Sequence, residues 1–345
     1  MDEQHSSKMV TSLLKKTVFL TLAAAFFFIP LSGKIWGGGL KTLADHAPGL
    51  AVIAGILFAC LWGNPFQKIT SQWTSPLLGV AIVGMGFGMD LGKVLQAGAN
   101  GFLYTLSGII LGLGLGALLG RWLKIPKNVY TLIGVGTSIC GGSAIAAAAP
   151  VLKAKAQDVA LASAVVFTLN AVALLLFPVI GKALGMTQGE FGYFAALAIH
   201  DTSSVVGASC QYGDLALEVG TTVKLARALW IVPVTLFLAW FVADREEGEK
   251  ANFKLKIPWF IPGFILAAAF VSLMPWEGIR SCGGVLKDLS KYLLVVTLFF
   301  IGSNLSREKL KELGFKPVLH GVILWLILAA LWGCVIGFHL IQCPQ

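Results

Sequence analysis

The stretch GVGTSICGGSAIAAAAP, residues 134–150, decides how this chain is read. It lies in a run long and apolar enough to cross a bilayer, yet its middle holds Thr137, Ser138, Cys140, Gly141, Gly142 and Ser143. Hydrocarbon has no water to satisfy a loosened backbone, and each orphan amide or carbonyl costs several kcal/mol there. An interruption rich in Gly, Ser and Thr is tolerated at that depth only where the main chain is buried in protein or lines a polar cavity. Discontinuous helices of this kind build the midplane binding sites of secondary transporters. A seam of small residues between closely packed helices is the plainer alternative.

The surroundings fit a membrane. Of 345 residues, 57% are hydrophobic and 12% charged, against about 25% charged in a soluble domain; mean hydropathy is +0.81. A spanning helix needs about 20 apolar residues, and such runs recur from end to end. The expected fold is all-α and polytopic, one integral membrane domain over 1–345. About eleven transmembrane helices are expected, at 17–33, 48–63, 76–91, 101–122, 131–150, 157–180, 190–211, 220–243, 258–275, 291–304 and 316–341. The first follows a basic stretch, as in a signal peptide, but no small-residue cleavage site follows Pro30 and Gly33. It is read as an extra N-terminal helix over 1–40.

The formal charge of +9 invites a nucleic-acid partner, and its distribution argues against one. Sixteen Lys and Arg fall in loops on the N-terminal side of the membrane and eight on the other. By the positive-inside rule the N-terminus is cytoplasmic and the C-terminus outside, in a cell inner membrane. The six cysteines form no disulfide framework, with Cys282 and Cys343 the pair expected on one side. Neither CxxC, HExxH, a phosphate-binding loop nor GxSxG is present, so no metal, cofactor, hydrolase or direct ATP chemistry is signalled and no enzyme is expected.

Two regions echo one another. Gly88-Met-Asp90-Leu-Gly-Lys93 follows one apolar span and Gly302-Ser303-Asn304-Leu-Ser-Arg307 another, seven spans on. An odd separation makes them face opposite ways, as inverted repeats do. Spans two to six (48–180) and seven to eleven (190–341) form the two five-helix halves in this scheme. The broken span five then corresponds to span ten, with Ser303 and Asn304 as its polar end.

An ionisable residue at bilayer depth is a functional hypothesis by default. His200-Asp201-Thr202 sits mid-span, where the imidazole and carboxylate could pass a proton; a structural hydrogen-bond network is the alternative. Lys224 and Arg227, three apart and so on one helix face, could attract an anion or neutralise Asp201 or Glu218. Snorkelling to the interface is the alternative there. An unwound helix pointing its amides at the midplane makes an anion site, to which Thr137, Ser138 and Ser143 add hydroxyl donors. Carbonyl ends and Asp201 could instead hold Na⁺ or a proton.

GTSICGGSAI at 136–145, the His-Asp pair at 200–201 with Val205-Val206, VKLAR at 223–227 and the polar end of span ten together resemble the YeiH-like family of bacterial inner-membrane proteins. That family is assigned to sulfate export and grouped with the cation/proton antiporter and anion transporter superfamily. The resemblance implies two inverted five-helix repeats whose discontinuous helices cross, with spans five and ten as the crossing pair. The expected activity is secondary export of a small anion, such as sulfate or a related sulfur oxyanion, by alternating access. A Na⁺/H⁺ or organic-anion antiporter or symporter of the same superfamily is the alternative. Expected partners are the bilayer, the anion and H⁺ or Na⁺; a homodimer stays open.

Overall fold

The computed structural model describes residues 2–36, 38–243, 259–274, 276–304, 314–341 and 343. Helix accounts for nearly all of them, and there is no strand among the described residues. The helices are α1 (Asp2–Trp36), α2 (Gly38–Trp62), α3 (Gln67–Gly86), α4 (Leu91–Trp122), α5 (Lys127–Ser138), α6 (Gly142–Val151) and α7 (Ala156–Ala183). There follow α8 (Gln188–Ala198), α9 (Thr202–Tyr212), α10 (Asp214–Ala228), α11 (Ile231–Ala243), α12 (Phe260–Leu273), α13 (Glu277–Ser303) and α14 (Phe315–Gly337). Helix occupies part of each of the eleven apolar segments, and two of them, 131–150 and 190–211, are interrupted near their centres. Among the described residues, five stretches are long and apolar enough to cross a membrane: Ser12–Ser32, Val94–Trp122, Ala156–Ala183, Asp214–Leu238 and Phe315–Gly337. Three shorter apolar helices accompany them, His46–Trp62, Gly142–Val151 and Phe260–Leu273. The basic loops at 245–256 and 307–311 lie outside the described residues.

The chain divides into two units. The first comprises Met1–Leu91 and Pro262–Glu308, where α13 packs on α1, α2 and α3. Its core is aromatic: Phe19 on α1 meets Phe58, Phe66 and Phe299 at ring-centroid distances of 5.3, 5.5 and 5.0 Å. Helices α3 and α13 run antiparallel. Thr70, near the start of α3, donates to Asn304 at the end of α13 at 2.6 Å. At the other end a Cβ on Gly88 would lie 2.9 Å from Cβ of Lys287.

The second unit comprises Gly92–Ile261 and Lys309–Gln345. Here α10 packs on α8 and α9, α7 on α5 and α9, and α14 on α5, α7 and α8. Glycines four apart on α4 form a rail that admits α5 and α14. A Cβ on Gly112 would strike Ser138 Oγ, and one on Gly116 would stand 3.4 Å from Cα of Gly134. Phe177 stacks on Trp325 of α14 at 5.3 Å and meets Phe194 of α8 in a tilted contact at 5.0 Å. No disulfide links any of the six cysteines among the described residues.

Candidate functional site

The interruption expected in span five is present: α5 stops at Ser138 and α6 begins at Gly142. Gly141 makes the turn with φ +64° and ψ −126°, a combination open essentially to glycine alone. The last four carbonyls of a helix have no intrahelical partner, so their fate can be followed one by one. Val135 O accepts from Ile139 N at 3.1 Å and Gly136 O from Gly141 N at 2.9 Å. Thr137 O and Ser138 O accept from Arg227 Nη2 and Nε, each at 2.9 Å. Ile139 O accepts from Lys224 Nζ at 3.1 Å.

A second interruption lies at Ile199–Asp201, between α8 and α9. Sequence reasoning had placed it in span ten. There, α13 runs unbroken from Glu277 to Ser303 with Asn304 as its cap, and residues 305–313, which follow the expected polar end, lie outside the described residues. Three groups stop α8 instead. Asn170 Oδ1 on α7 takes the His200 N–H at 3.0 Å. Arg227 Nη1 donates to Ala196 O at 3.0 Å and Leu197 O at 2.7 Å. Lys224 Nζ donates to Ile199 O at 2.7 Å and lies 3.5 Å from Ala196 O. The carboxylate of Asp201 then starts α9, accepting from Ser203 N at 3.0 Å, Ser204 N at 3.3 Å and the Ser203 hydroxyl.

Lys224 and Arg227 are thus neither snorkelled nor aimed at solvent, with 0% and 3% of their surface exposed. Their head groups close the C-terminal ends of both broken helices at once. Sequence reasoning placed these charges correctly inside a span but assigned them to an anion, to Asp201 or to Glu218. The carbonyls they serve, up to 90 residues away, are invisible along the chain.

The four helix ends have a simple electrostatic balance. Two C-termini and two N-termini carry about −0.5 and +0.5 charge each and cancel. Lys224 and Arg227 against Asp201 leave one formal positive charge. The amide ends are also the open side: Ser143 is exposed, Gly142, Asp201 and Ser203 are half-buried, while Thr137, Ser138, Cys140, His200 and Thr202 are buried. Asp201 stands beside Gly141, where a Cβ would lie 3.4 Å from Asp201 Cβ and 3.6 Å from Oδ1. Cys140 is within electrostatic reach of Lys224, Asp201 and Arg227. Thr137 Oγ1, Ser138 Oγ and Asn170 Nδ2 are buried without a hydrogen-bond partner among the described residues, and the buried ring of His200 faces the main chain of Thr137.

The structure therefore brings Thr137, Ser138, Cys140, Gly141, Gly142 and Ser143 together with His200, Asp201, Thr202, Lys224 and Arg227. Ser303 and Asn304 belong to the other unit. There Asn64 Nδ2 donates to Ser303 Oγ at 3.2 Å and Asn304 Oδ1 at 3.1 Å, and Asn304 Nδ2 donates to Thr74 Oγ1 at 3.3 Å. Among the described residues no three His, Cys, Asp or Glu side chains group to hold a metal ion. Sequence reasoning missed Asn170, whose only signal was an amide inside the apolar run TLNAVALLL.

The family model described as conserved hypothetical protein 698 matches residues 21–321. A UPF0324 membrane protein of Bdellovibrio bacteriovorus is 46% identical over 341 residues, 99% of each chain. Another from Geobacter sulfurreducens is 46% identical over 281 residues, 81% of this chain and 88% of that one. A third, from Bacteroides thetaiotaomicron, is 42% identical over 316 residues, 91% and 93% of the two chains. A solved structure, that of the sodium proton antiporter MjNhaP1 from Methanocaldococcus jannaschii at pH 8, aligns over 95% of this chain and 100% of that chain. Its identity is 14% and the TM-score 0.28, too low for that likeness to carry an argument. On the match over most of its length, the chain belongs to this family of UPF0324, YeiH-like membrane proteins.

Proposed function

We propose that the protein is a secondary active transporter that moves a small anion by alternating access. One observation carries this reading: two buried cations and one carboxylate meet at two broken helices, leaving a positive charge beside open amide ends. Helix N-termini bind anions through unpaired N–H groups and the dipole, and a surplus charge in a poorly solvated site favours a counter-ion over water. The amides at Gly142 and Ser143 and the hydroxyls of Thr137, Ser138 and Ser143 supply donors without further charge, beside Cys140 and Gly141.

Proton coupling follows from Asp201. Its carboxylate already occupies the first amides of α9, so an arriving anion meets a negative charge there. A proton on Asp201, delivered through or held near His200 and Thr202, removes that repulsion. Sulfate, the cargo suggested by the family resemblance, is the first anion to try, with sulfite and thiosulfate beside it. The Na⁺/H⁺ reading is less well served. Carbonyls that could ligate Na⁺ at the breaks already accept from Lys224 and Arg227.

In the same reading about eleven helices cross a cytoplasmic membrane, N-terminus inside, as two inverted five-helix repeats. The antiparallel packing of α3 and α13 supports the inversion, since Gly88-Met89-Asp90 and Gly302-Ser303-Asn304 end at opposite ends of that pair. The test is flux of radiolabelled sulfate, sulfite and thiosulfate into proteoliposomes under imposed pH gradients. Saturable, gradient-dependent flux of one of them is expected; no flux of any anion at any gradient defeats the proposal.

A further inference from the structure

We propose that Asn170 determines specificity at this site by donating a hydrogen bond to the transported oxyanion, an inference that rests on the anion-transport reading. The orientation of its amide is settled by its neighbour. The His200 main-chain N–H can only donate, so the atom 3.0 Å away is Oδ1, and the NH₂ is left as the other arm. That arm is buried, with 2% of the residue exposed, and has no partner among the described residues. A buried donor without an acceptor costs stability, and a ligand that supplies the acceptor removes that cost.

The place of Asn170 on its helix directs it to the breaks. Phe167 is one turn earlier on the same face of α7, and a Cβ on Gly142 would lie 2.5 Å from its ring. That face of α7 thus touches the start of α6 at Phe167 and the α8–α9 break at Asn170. The head of α6, whose amides have no side-chain cap, begins at that same Gly142, and Thr137 Oγ1 at the end of α5 is a second buried group without a partner among the described residues. An oxyanion accepting from these amides has oxygens left for a further neutral donor, and an amide NH₂ provides it without shifting the charge balance. The charged or titratable groups around it are His200 and Asp201 at the break, Lys224 and Arg227 on α10 and Cys140 between α5 and α6.

Asn170→Asp separates the two halves of this role. It keeps the oxygen that accepts from His200 N–H and replaces the NH₂ by a second oxygen. Sulfate binding to the detergent-purified full chain, measured by calorimetry from pH 5 to 8, is expected to weaken about tenfold or more in the variant at the alkaline end. The ratio to wild type at each pH is expected to recover as the pH falls, because the protonated carboxyl regains an O–H donor; a purely structural role gives no such recovery. Asn170→Ser, small enough to fold wherever Asp is not tolerated, is expected to bind severalfold more weakly at every pH. Wild-type affinity in either folded variant overturns the assignment of Asn170. A wild-type chain that binds none of sulfate, sulfite and thiosulfate overturns instead the transport reading beneath it.

Discussion

Replacing Arg227 by methionine keeps the length and apolar stem of the side chain and removes every donor. Arg227 serves Thr137 O, Ser138 O, Ala196 O and Leu197 O at 2.9, 2.9, 3.0 and 2.7 Å. Ala196 O keeps Lys224 Nζ, 3.5 Å away; the other three carbonyls lose the partner that closed them. At about 1–3 kcal/mol for each buried group left open, the loss is about 3–9 kcal/mol. Removing a desolvated guanidinium returns part of that, so a net loss near 3 kcal/mol is expected. For a unit of this size that lowers the melting point by about 6–12 °C, readable by tryptophan fluorescence of the detergent-purified protein. Arg227→Lys keeps the charge but not the planar fork that reaches both helix ends, and is expected to fall between the two. A methionine variant melting within about 2 °C of wild type would show that the carbonyls find other partners, and the account of the breaks would be wrong.

Other outcomes follow from single features. Gly141→Ala puts a Cβ where φ is +64° and ψ −126° and is expected to cost about 1–3 kcal/mol, measured by the same melting assay. His200→Ala is expected to insert and express normally while its flux loses dependence on pH; unchanged pH-dependent flux removes the imidazole from the proton path. Cys343, beyond the last span, has its thiol pushed up to about 12 by burial and by Glu190. At pH 9 it is therefore still protonated, whereas an ordinary thiol is largely ionised. Iodoacetamide at pH 9 is expected to label it more slowly than exposed Cys282, with the rate still climbing above pH 10. Equal rates at pH 9 contradict the half-buried placement of Cys343.

The break in span five was legible because it is written in residue type. Gly141 and Gly142 flanked by Ser and Thr make a poor helix interior in any setting, and lipid leaves the backbone no water to fall back on. The break in span seven is written in tertiary partners. AALAI runs into His200 as a helix would, and α8 ends because Asn170, Lys224 and Arg227 take the groups a continued ladder would use. One local sign was available, since Asp201 followed by Ser203 and Ser204 is an N-cap arrangement in mid-span. The symmetry argument pointed instead to Ser303 and Asn304, whose polarity has a nearer cause in Asn64, Thr70 and Thr74. Helix lengths diverged for a similar reason. An apolar window finds 291–304, but α13 starts at Glu277, because polar turns can continue a helix that hydropathy no longer detects.

That α10 closes both breaks also bears on how the chain is made. Synthesis is vectorial, and residues 127–212 are complete before Lys224 and Arg227 leave the ribosome. Until then the carbonyls of Thr137, Ser138, Ile139, Leu197 and Ile199 lack the cations that later hold them. The nascent hairpins must wait in a wetter setting than the finished fold, sheltered by the insertion machinery or by the lipid headgroups. A messenger stalled just before codon 224 would leave a fragment that quality-control proteases clear quickly, and one stalled well after codon 227 would leave a fragment that survives.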